Sequence, residues 1–300
     1  MFQASRANKI KTSFIVITIF AFLVVLIYFI SYHLLGLGIY AGIFAIGISF
    51  LISFFAYWNS HKIVLRMHRA RPATPAQDAK LNNILEGLCI AAGLPKPKLY
   101  VMEDPALNAF ATGRNPKNGV VCVTTGLLDR LDYYQLEGVV AHELAHIKNY
   151  DVLLQTVAGI MIGAGIMLSD IGARILFRSG GRRSGGSSGG GGGQLIIMAV
   201  AFALMILAPI AGQLLRMALS RNREFLADAT AVEFTRNPEG LAGALEVIGG
   251  SSIPLQRSSD ATEGMYIATP CADSRRRRKA KLFSTHPPIP DRVNAIRNIR

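Results

Sequence analysis

Four stretches of the chain are long and apolar, and they dominate its pattern of hydrophobic and polar positions. The first two lie in one interval, Thr12–His61, which contains no charged residue and divides near His33–Gly38. Stretches of about 18 or more apolar residues are typical of transmembrane helices. The pattern therefore predicts hydrophobic helices at Ser13–Tyr32, Ile39–Trp58, Val152–Leu168 and Leu195–Leu215.

The region between the two pairs of apolar stretches has the pattern of a soluble domain, in which short helices and strands alternate with turns. Thr74–Gln77 combines an N-cap residue, a proline for the first helical turn and a capping-box glutamine, and Gly93 can end the helix that follows. Lys98–Met102 and Gly119–Thr124 have the composition of strands. Leu107–Gly113 can form an edge strand, so we expect a small twisted sheet. The apolar positions of the helix are Leu81, Ile84, Leu85, Leu88 and Ala92.

A second capping box, Asp132 with Gln135, predicts the start of another helix. No proline interrupts the sequence from Asp132 into the third apolar stretch. We therefore expect this helix to stand at the membrane surface, with its C-terminal end pointing into or toward the bilayer. Its apolar positions are Leu136, Val139, Val140 and Leu144.

Charge favours a membrane over nucleic acid as the partner of this chain, which is 51% hydrophobic with a net charge of +13. Basic residues flank the first apolar pair, whereas the turn inside the pair has none, so both flanks are expected in the cytoplasm. The basic run Arg275–Lys279 lacks an RNA-binding aromatic pattern, so we expect a solvated loop. The flanking basic residues are Arg6, Lys9, Lys11, Lys62, Arg66, Arg69 and Arg71.

The Gly/Ser-rich stretch Arg178–Gly193 joins the third and fourth apolar stretches and does not fit the same rule. It carries arginines, yet it would lie outside if this pair crossed the membrane. The pair therefore either spans against the charge bias or is partly embedded. In both cases its two flanks must lie on the same side if they contribute to one site.

An H-E-x-x-H motif at His142–His146 carries the chemistry of the chain. Residues i and i+4 share a helix face, so His142 and His146 can bind one zinc ion. Glu143 can then reach a water at the metal and accept its proton. We expect one zinc ion per chain.

Catalytic zinc needs a third protein ligand. A metzincin extension would require glycine at 149 and histidine at 152, where the chain has Asn149 and Val152. The third apolar stretch, which follows the motif directly, contains no glutamate. Glu224 and Asp228, just after the fourth stretch, share a helix face. One of them can bind the metal while the other orients a ligand histidine.

The chain resembles the HtpX-type membrane zinc metalloproteases, relatives of the CAAX prenyl endopeptidase, over nearly its whole length. The resemblance rests on the arrangement of apolar stretches and on Asn108–Gly113, His142–His146, Arg223-Glu224 with Ala227-Asp228, and Thr285-His286-Pro287-Pro288. It implies the zinc ligands His142, His146 and Glu224, with Glu143 as general base. Asp228 is then favoured as the carboxylate that orients a ligand histidine.

The same resemblance implies a substrate site. It assigns Asn108, Ala109, Phe110 and Ala111 to an edge strand that pairs with an extended peptide, which is β-augmentation in physical terms. An oxyanion that develops during hydrolysis needs a donor besides zinc. His286 is a candidate donor, and a structural histidine before a Pro-Pro turn is an equally strong alternative.

These features predict an α+β membrane protein, mainly α, in which four hydrophobic helices accompany a gluzincin-like zinc protease domain with a small β-sheet. Residues 1–60 would form an N-terminal transmembrane hairpin and residues 61–151 the first half of the protease domain with the H-E-x-x-H helix. Residues 152–217 would hold the second hydrophobic pair and its Gly/Ser/Arg-rich loop. Residues 218–300 would complete the domain with the third ligand.

The function implied by the resemblance is a membrane-integrated zinc endopeptidase that cleaves membrane proteins, above all misfolded or damaged ones. It implies a multi-pass protein of the bacterial inner membrane with its active site and both termini in the cytoplasm. The expected partners are the lipid bilayer and polypeptide substrates, with no nucleic acid. An intramembrane-cleaving metalloprotease and a non-catalytic membrane scaffold are the alternatives. Polar residues around the motif disfavour the first, and an intact Glu143 disfavours the second.

Overall fold

The computed structural model describes residues 2–33, 37–74, 78–156, 221–256, 263–268 and 286–299. Most of the third apolar stretch, all of the fourth and the Gly/Ser-rich loop lie outside the described residues. The predictions for residues 157–220 and for the basic run at 275–279 therefore stay predictions.

Two long helices open the chain. Helix α1 spans Phe2–His33, and a short 3-10 turn at Gly38–Tyr40 leads into helix α2, Ala41–Met67, which packs against α1. The predicted helices and the turn between them are confirmed as secondary structure. Large apolar side chains such as Ile43 and Phe55 are 76% and 66% exposed, as expected of surfaces that face lipid.

Membrane crossing itself is supported by one segment. Among the described residues, a single helical window, Gly38–Phe55, is long and apolar enough to cross a bilayer. The prediction of four such helices is therefore not confirmed.

A four-stranded mixed sheet forms the other layer of the fold. Its strands are β1 (Arg71–Pro72), β2 (Lys98–Met102), β3 (Ala109–Gly113) and β4 (Gly119–Thr124), in the order β1-β2-β4-β3. Strand β2 runs parallel to β4, whereas β1 and β3 pair antiparallel with their neighbours. The strands predicted at Lys98–Met102 and Gly119–Thr124 are confirmed at both ends, and β3 lies at the edge as expected.

Helix α3, Ala79–Ala92, precedes this sheet and begins later than predicted. Its N-cap position is held by Asp78, so the prediction of Thr74 as the N-cap was wrong. The Asp78 carboxylate instead accepts a bond from the Thr74 amide at 3.0 Å and pairs with Arg71 at 3.0 Å. The predicted end is confirmed, because Gly93 has the left-handed φ of 64° that glycine tolerates.

Within the described ranges, five further helices follow and form the main core with the sheet. After the short α4 (Thr125–Arg130), α5 spans Tyr133–Lys148, α6 Arg221–Thr235, α7 Pro238–Gly250 and α8 Ile289–Arg297. Helix α5 is the centre of this core and contacts β3, α3, α6 and α7. Its crossing with α7 requires Gly138, because a Cβ there would lie 2.6 Å from the backbone nitrogen of Leu241.

Helix α5 does not run on without interruption into the third apolar stretch. It ends at Lys148 with Asn149 as its C-cap, and Tyr150 has a φ of 60° before a new helical segment begins at Asp151. The left-handed residue turns the chain between α5 and the segment that leads into the third apolar stretch. The expected position of α5 at the membrane surface stays a prediction. This break has a direct consequence for the metal centre.

Candidate metal centre

Helix α5 presents two histidine rings side by side. The predicted capping box is confirmed: Asp132 accepts from the Gln135 amide at 2.9 Å, and Gln135 accepts from the Asp132 amide at 3.2 Å. One turn apart near the other end of the helix, His142 and His146 bring their Nε2 atoms to 3.1 Å. Both side chains are buried, so the two nitrogens face a desolvated site.

Helix α6 brings Glu224 to the same point from a distant part of the chain. Its carboxylate oxygens lie 3.7 Å from His142 Nε2 and 3.6 Å from His146 Nε2. Two ligands at about 2.0–2.1 Å from a tetrahedral zinc ion lie roughly 3.3–3.4 Å apart. The three side chains could therefore hold zinc with little movement, and two imidazoles with one carboxylate are a common catalytic ligand set.

Asp228, one turn after Glu224, contacts the first histidine. Its Oδ1 lies 2.9 Å from His142 Nδ1, on the opposite side of the ring from the ligand nitrogen. Burial lowers the pKa of His142 to about 4 in spite of this carboxylate. The ring is therefore neutral near pH 7, donates from Nδ1 and keeps Nε2 available for a metal.

A buried arginine that the sequence reasoning missed holds this carboxylate. Arg292, from α8, donates to both oxygens of Asp228, at 2.9 Å and 2.7 Å, and lies 3.8 Å from Glu224. Burial alone would raise the pKa of Asp228, but the charge and hydrogen bonds of Arg292 and the bond to His142 keep that pKa below its usual value. Arg292 follows the Pro-Pro turn by four residues in the sequence. Nothing in the sequence, however, shows that its partner is Asp228.

Asp151 contacts the Nδ1 atom of His146 as Asp228 contacts the Nδ1 atom of His142. Its Oδ2 lies 3.1 Å from His146 Nδ1, and its Oδ1 lies 3.6 Å from Arg223. Burial opposes a charge on His146. The bond to Asp151 and the nearby charge of Glu224 outweigh it and raise the pKa of His146 to about 9. The sequence reasoning did not assign a role to Asp151.

Glu143 points into the site without a conventional hydrogen bond. Within the described part of the chain, neither of its buried carboxylate oxygens has a hydrogen-bond partner, although the Ala111 backbone is close enough to affect its pKa. Burial raises the pKa of Glu143 to about 8. A zinc ion at the neighbouring ligands would lower it, because an opposite charge favours the ionised form. Such a carboxylate is available to accept a proton.

His286 lies against the third ligand candidate. Its Nδ1 is 2.9 Å from Glu224 Oε2. Burial alone would raise the pKa of Glu224, but the charges of His286, His146 and Arg292 and the hydrogen bond from His286 hold it well below its usual value. The predicted placement of His286 near the centre therefore agrees with the geometry, and its role stays a prediction.

The predicted substrate strand lies beside this centre, and part of it is already paired. Strand β3 is the sheet edge, and all five of its residues are buried. Ile267 donates its amide to the Ala109 carbonyl at 3.0 Å, and Asn108 Nδ2 donates to the Ala268 carbonyl at 3.0 Å. A segment of the same chain thus covers the first half of the edge.

A mostly helical fold with a small mixed sheet, two histidines on one helix and a carboxylate from a second helix define a metallopeptidase. The comparisons with known proteins agree with this class. The sequence profile of peptidase family M48 matches residues 75–300, and the chain belongs to that family. The metalloproteases of this family are zinc-dependent.

Close relatives span the whole chain. A protein named Protease HtpX homolog from Dictyoglomus thermophilum is 44% identical over 296 residues, which is 99% of this chain and 94% of the relative. Its namesake from Listeria monocytogenes serovar 1/2a is 43% identical over 310 residues and covers both chains completely. The crystal structure of S. mikatae Ste24p is similar in fold, with a TM-score of 0.50 and 16% identity over 99% of this chain and 67% of that one.

Proposed function

We propose that this protein is a membrane-integrated zinc endopeptidase that hydrolyses peptide bonds of membrane proteins, above all misfolded or damaged ones. The observation that carries the proposal is the convergence of His142, His146 and Glu224 with Glu143 beside them. Two of these ligand candidates are also fixed by a carboxylate at Nδ1, at 2.9 Å and 3.1 Å. A structural role alone would not require an unpaired glutamate in the same buried site.

Each side chain has a distinct part in the proposed reaction. A bound zinc ion would polarise the scissile carbonyl and lower the pKa of a water molecule at the metal to about 7. Glu143 accepts the proton of the attacking water and delivers it to the leaving amine. Asp228 and Asp151 keep the two imidazoles in the tautomer and orientation that a metal requires. His286 is the candidate donor to the oxyanion.

Substrate binding would use the sheet edge. An extended peptide that adds to β3 gains main-chain hydrogen bonds irrespective of its sequence. Such recognition suits a protease that acts on unfolded segments of many different proteins. Asn108, Ala109, Phe110 and Ala111 are the residues that we assign to this contact.

Membrane integration is supported by the exposed apolar surface of α1 and α2. Trp58, which follows the apolar window Gly38–Phe55 in α2, lies under the guanidinium of Arg114 at 3.5 Å, a pairing suited to the boundary between lipid and water. With basic residues on both flanks of this helical pair, we propose the cytoplasmic face of the bacterial inner membrane as the location of the active site and both termini.

The decisive experiment compares two proteins purified in detergent, wild type and Glu143→Gln. Both should bind one zinc ion per chain, and only the wild type should cleave an unfolded reporter such as casein. Metal analysis and proteolysis are measured on the same samples. Cleavage that persists in Glu143→Gln would exclude Glu143 as the general base, and zinc-loaded wild type without cleavage would favour a scaffold.

A further inference from the structure

A short segment of the chain lies on the free edge of strand β3 as a substrate would. Tyr266 forms an antiparallel bridge with Phe110, and Ile267 donates its amide to the Ala109 carbonyl. The carbonyl of the next residue, Ala268, accepts from the side chain of Asn108. The register is that of one added strand.

A third backbone contact ties this segment to the metal centre. Arg292 Nη1 donates to the Ile267 carbonyl at 2.9 Å. The same guanidinium holds Asp228 at 2.7 Å and lies 3.8 Å from Glu224. The Ile267 carbonyl is thus one side chain away from the proposed ligands. Asn108, Ala109 and Arg292 together form a backbone clamp, by which we mean these three groups and the main-chain atoms that they bind.

The side chains of the segment are held as firmly as its backbone. Ile267 is 1% exposed and belongs to the main core. The Tyr266 ring packs edge-on against Phe110 and His68, with centroids 5.5 Å and 5.6 Å away, and its hydroxyl lies 3.0 Å from His68 Nδ1. His68 is the C-cap residue of α2. The segment is therefore anchored to the end of the candidate membrane helix.

We propose that Tyr266–Ala268 is a substrate-like strand of the protein itself, which fills the backbone clamp, and that a polypeptide is cleaved only after it displaces this strand. The inference rests on the proposed function, because it takes the edge of β3 as the substrate site. The clamp binds main-chain atoms only, so it accepts one strand at a time. Because the segment has the sequence Tyr266-Ile267, we expect that the substrates which displace it best are extended stretches with an aromatic residue followed by an aliphatic one.

The first test weakens the internal strand. Ile267→Ala removes buried apolar contacts from the strand while leaving its main-chain bonds, so the displaced state becomes more populated. We expect kcat/KM for casein to rise roughly tenfold or more. Ile248→Ala, an equally drastic change at a buried position of α7, is the matched control, since Ile248 is 5% exposed and in the same core. Equal activity of the two variants would overturn the proposal.

The second test fixes the strand and does not depend on a destabilised variant. Phe110 and Tyr266 are directly opposed, and such pairs have a Cα separation suited to a disulfide. Cys122 is the cross-strand partner of Phe110 in β4, so the background carries Cys122→Ala and Cys271→Ser, which remove two competing thiols. In this background, Phe110→Cys with Tyr266→Cys should lose activity on oxidation and regain it on reduction. Each activity is compared with that of the same variant kept reduced, and the background protein given the same treatments is the control. An oxidised enzyme as active as its reduced form would refute displacement, and failure of the disulfide to form would refute the pairing.

A third measurement supplies the strand in trans. A synthetic peptide with the sequence of residues 263–268 should inhibit Ile267→Ala more strongly than a scrambled peptide does. Equal inhibition by the two peptides would contradict a substrate-like fit. Glu143→Gln separates the proposed protease function from the proposed internal strand. If Glu143→Gln does not reduce cleavage, the proposed function fails. If cleavage depends on Glu143 but does not change in Ile267→Ala, only the internal strand is refuted.

Discussion

Asp151→Asn tests the arrangement that the sequence did not reveal. The substitution keeps the shape of the side chain and removes the charge that faces His146 Nδ1 at 3.1 Å. Loss of such a partner of a ligand histidine typically lowers metal affinity about 10–100-fold. This factor corresponds to about 1.4–2.7 kcal/mol. The substitution also removes the negative charge that pairs with Arg223, whose mostly buried guanidinium lies 3.6 Å from the same carboxylate.

Two measurements separate the loss of zinc affinity from damage to the rest of the site. Competition with a chelator of known affinity gives the dissociation constant for zinc, and casein cleavage at saturating zinc shows whether the loaded enzyme is intact. Asp129→Asn makes the same charge change on an exposed residue of α4 and serves as the control. We expect weaker zinc binding only in Asp151→Asn, with most activity restored by excess zinc. Equal zinc affinity in the two variants would refute the role assigned to Asp151.

Three further predictions concern the ligands and the packing of α5. Glu224→Ala should lose zinc and activity together, and unchanged zinc content would exclude Glu224 as a ligand. Because His286 contacts Glu224 at 2.9 Å, His286→Ala should weaken zinc binding; a lower kcat at full zinc occupancy would instead favour the oxyanion role. Gly138→Ala should lower the free energy of unfolding by about 1–3 kcal/mol through overpacking against α7. Gly87→Ala, whose new Cβ meets nothing within 4 Å, should not destabilise the protein in the same denaturation assay.

Local structure was predictable wherever its determinants lie within a few residues of one another. The Asp132 capping box, the αL glycine after α3 and the strands β2 and β4 all depend on short-range patterns of this kind. The proposed ligand pair His142 and His146 is equally local, because helix geometry alone puts both on one face. These signals do not depend on the rest of the fold.

Asp151 escaped prediction for a geometric reason. In a continuous helix, a residue five positions after His146 would be rotated by about 140° from it and would point away. Only the left-handed φ of 60° at Tyr150 turns the chain so that the Asp151 carboxylate faces the ring. No pattern in the neighbouring sequence predicts that turn, since tyrosine is a rare choice for this conformation.

Arg292 and the Tyr266–Ala268 segment escaped prediction because their partners are far away in the chain. The bond from Arg292 to Asp228 links residues 64 apart, and the bond from Asn108 to Ala268 links residues 160 apart. Periodicity and capping describe single elements and say nothing about which elements meet. The sheet edge was predicted as a free substrate site, and the chain itself was not considered as an occupant.

The charges of the centre explain why a divalent cation suits it. Besides its histidines, the centre contains four carboxylates and two guanidinium groups, from Glu143, Asp151, Glu224, Asp228, Arg223 and Arg292. If all six groups are ionised, their net charge is −2, and nearly all of these side chains are buried. The raised pKa values of Glu143, about 8, and of His146, about 9, mean that the side chains compensate by holding protons. A zinc ion supplies the same two positive charges, and it leaves Glu143 ionised and able to act as a base. The excess of buried negative charge therefore has two consequences. It favours the binding of a divalent cation, and the bound cation in turn keeps Glu143 in the ionised form that hydrolysis needs.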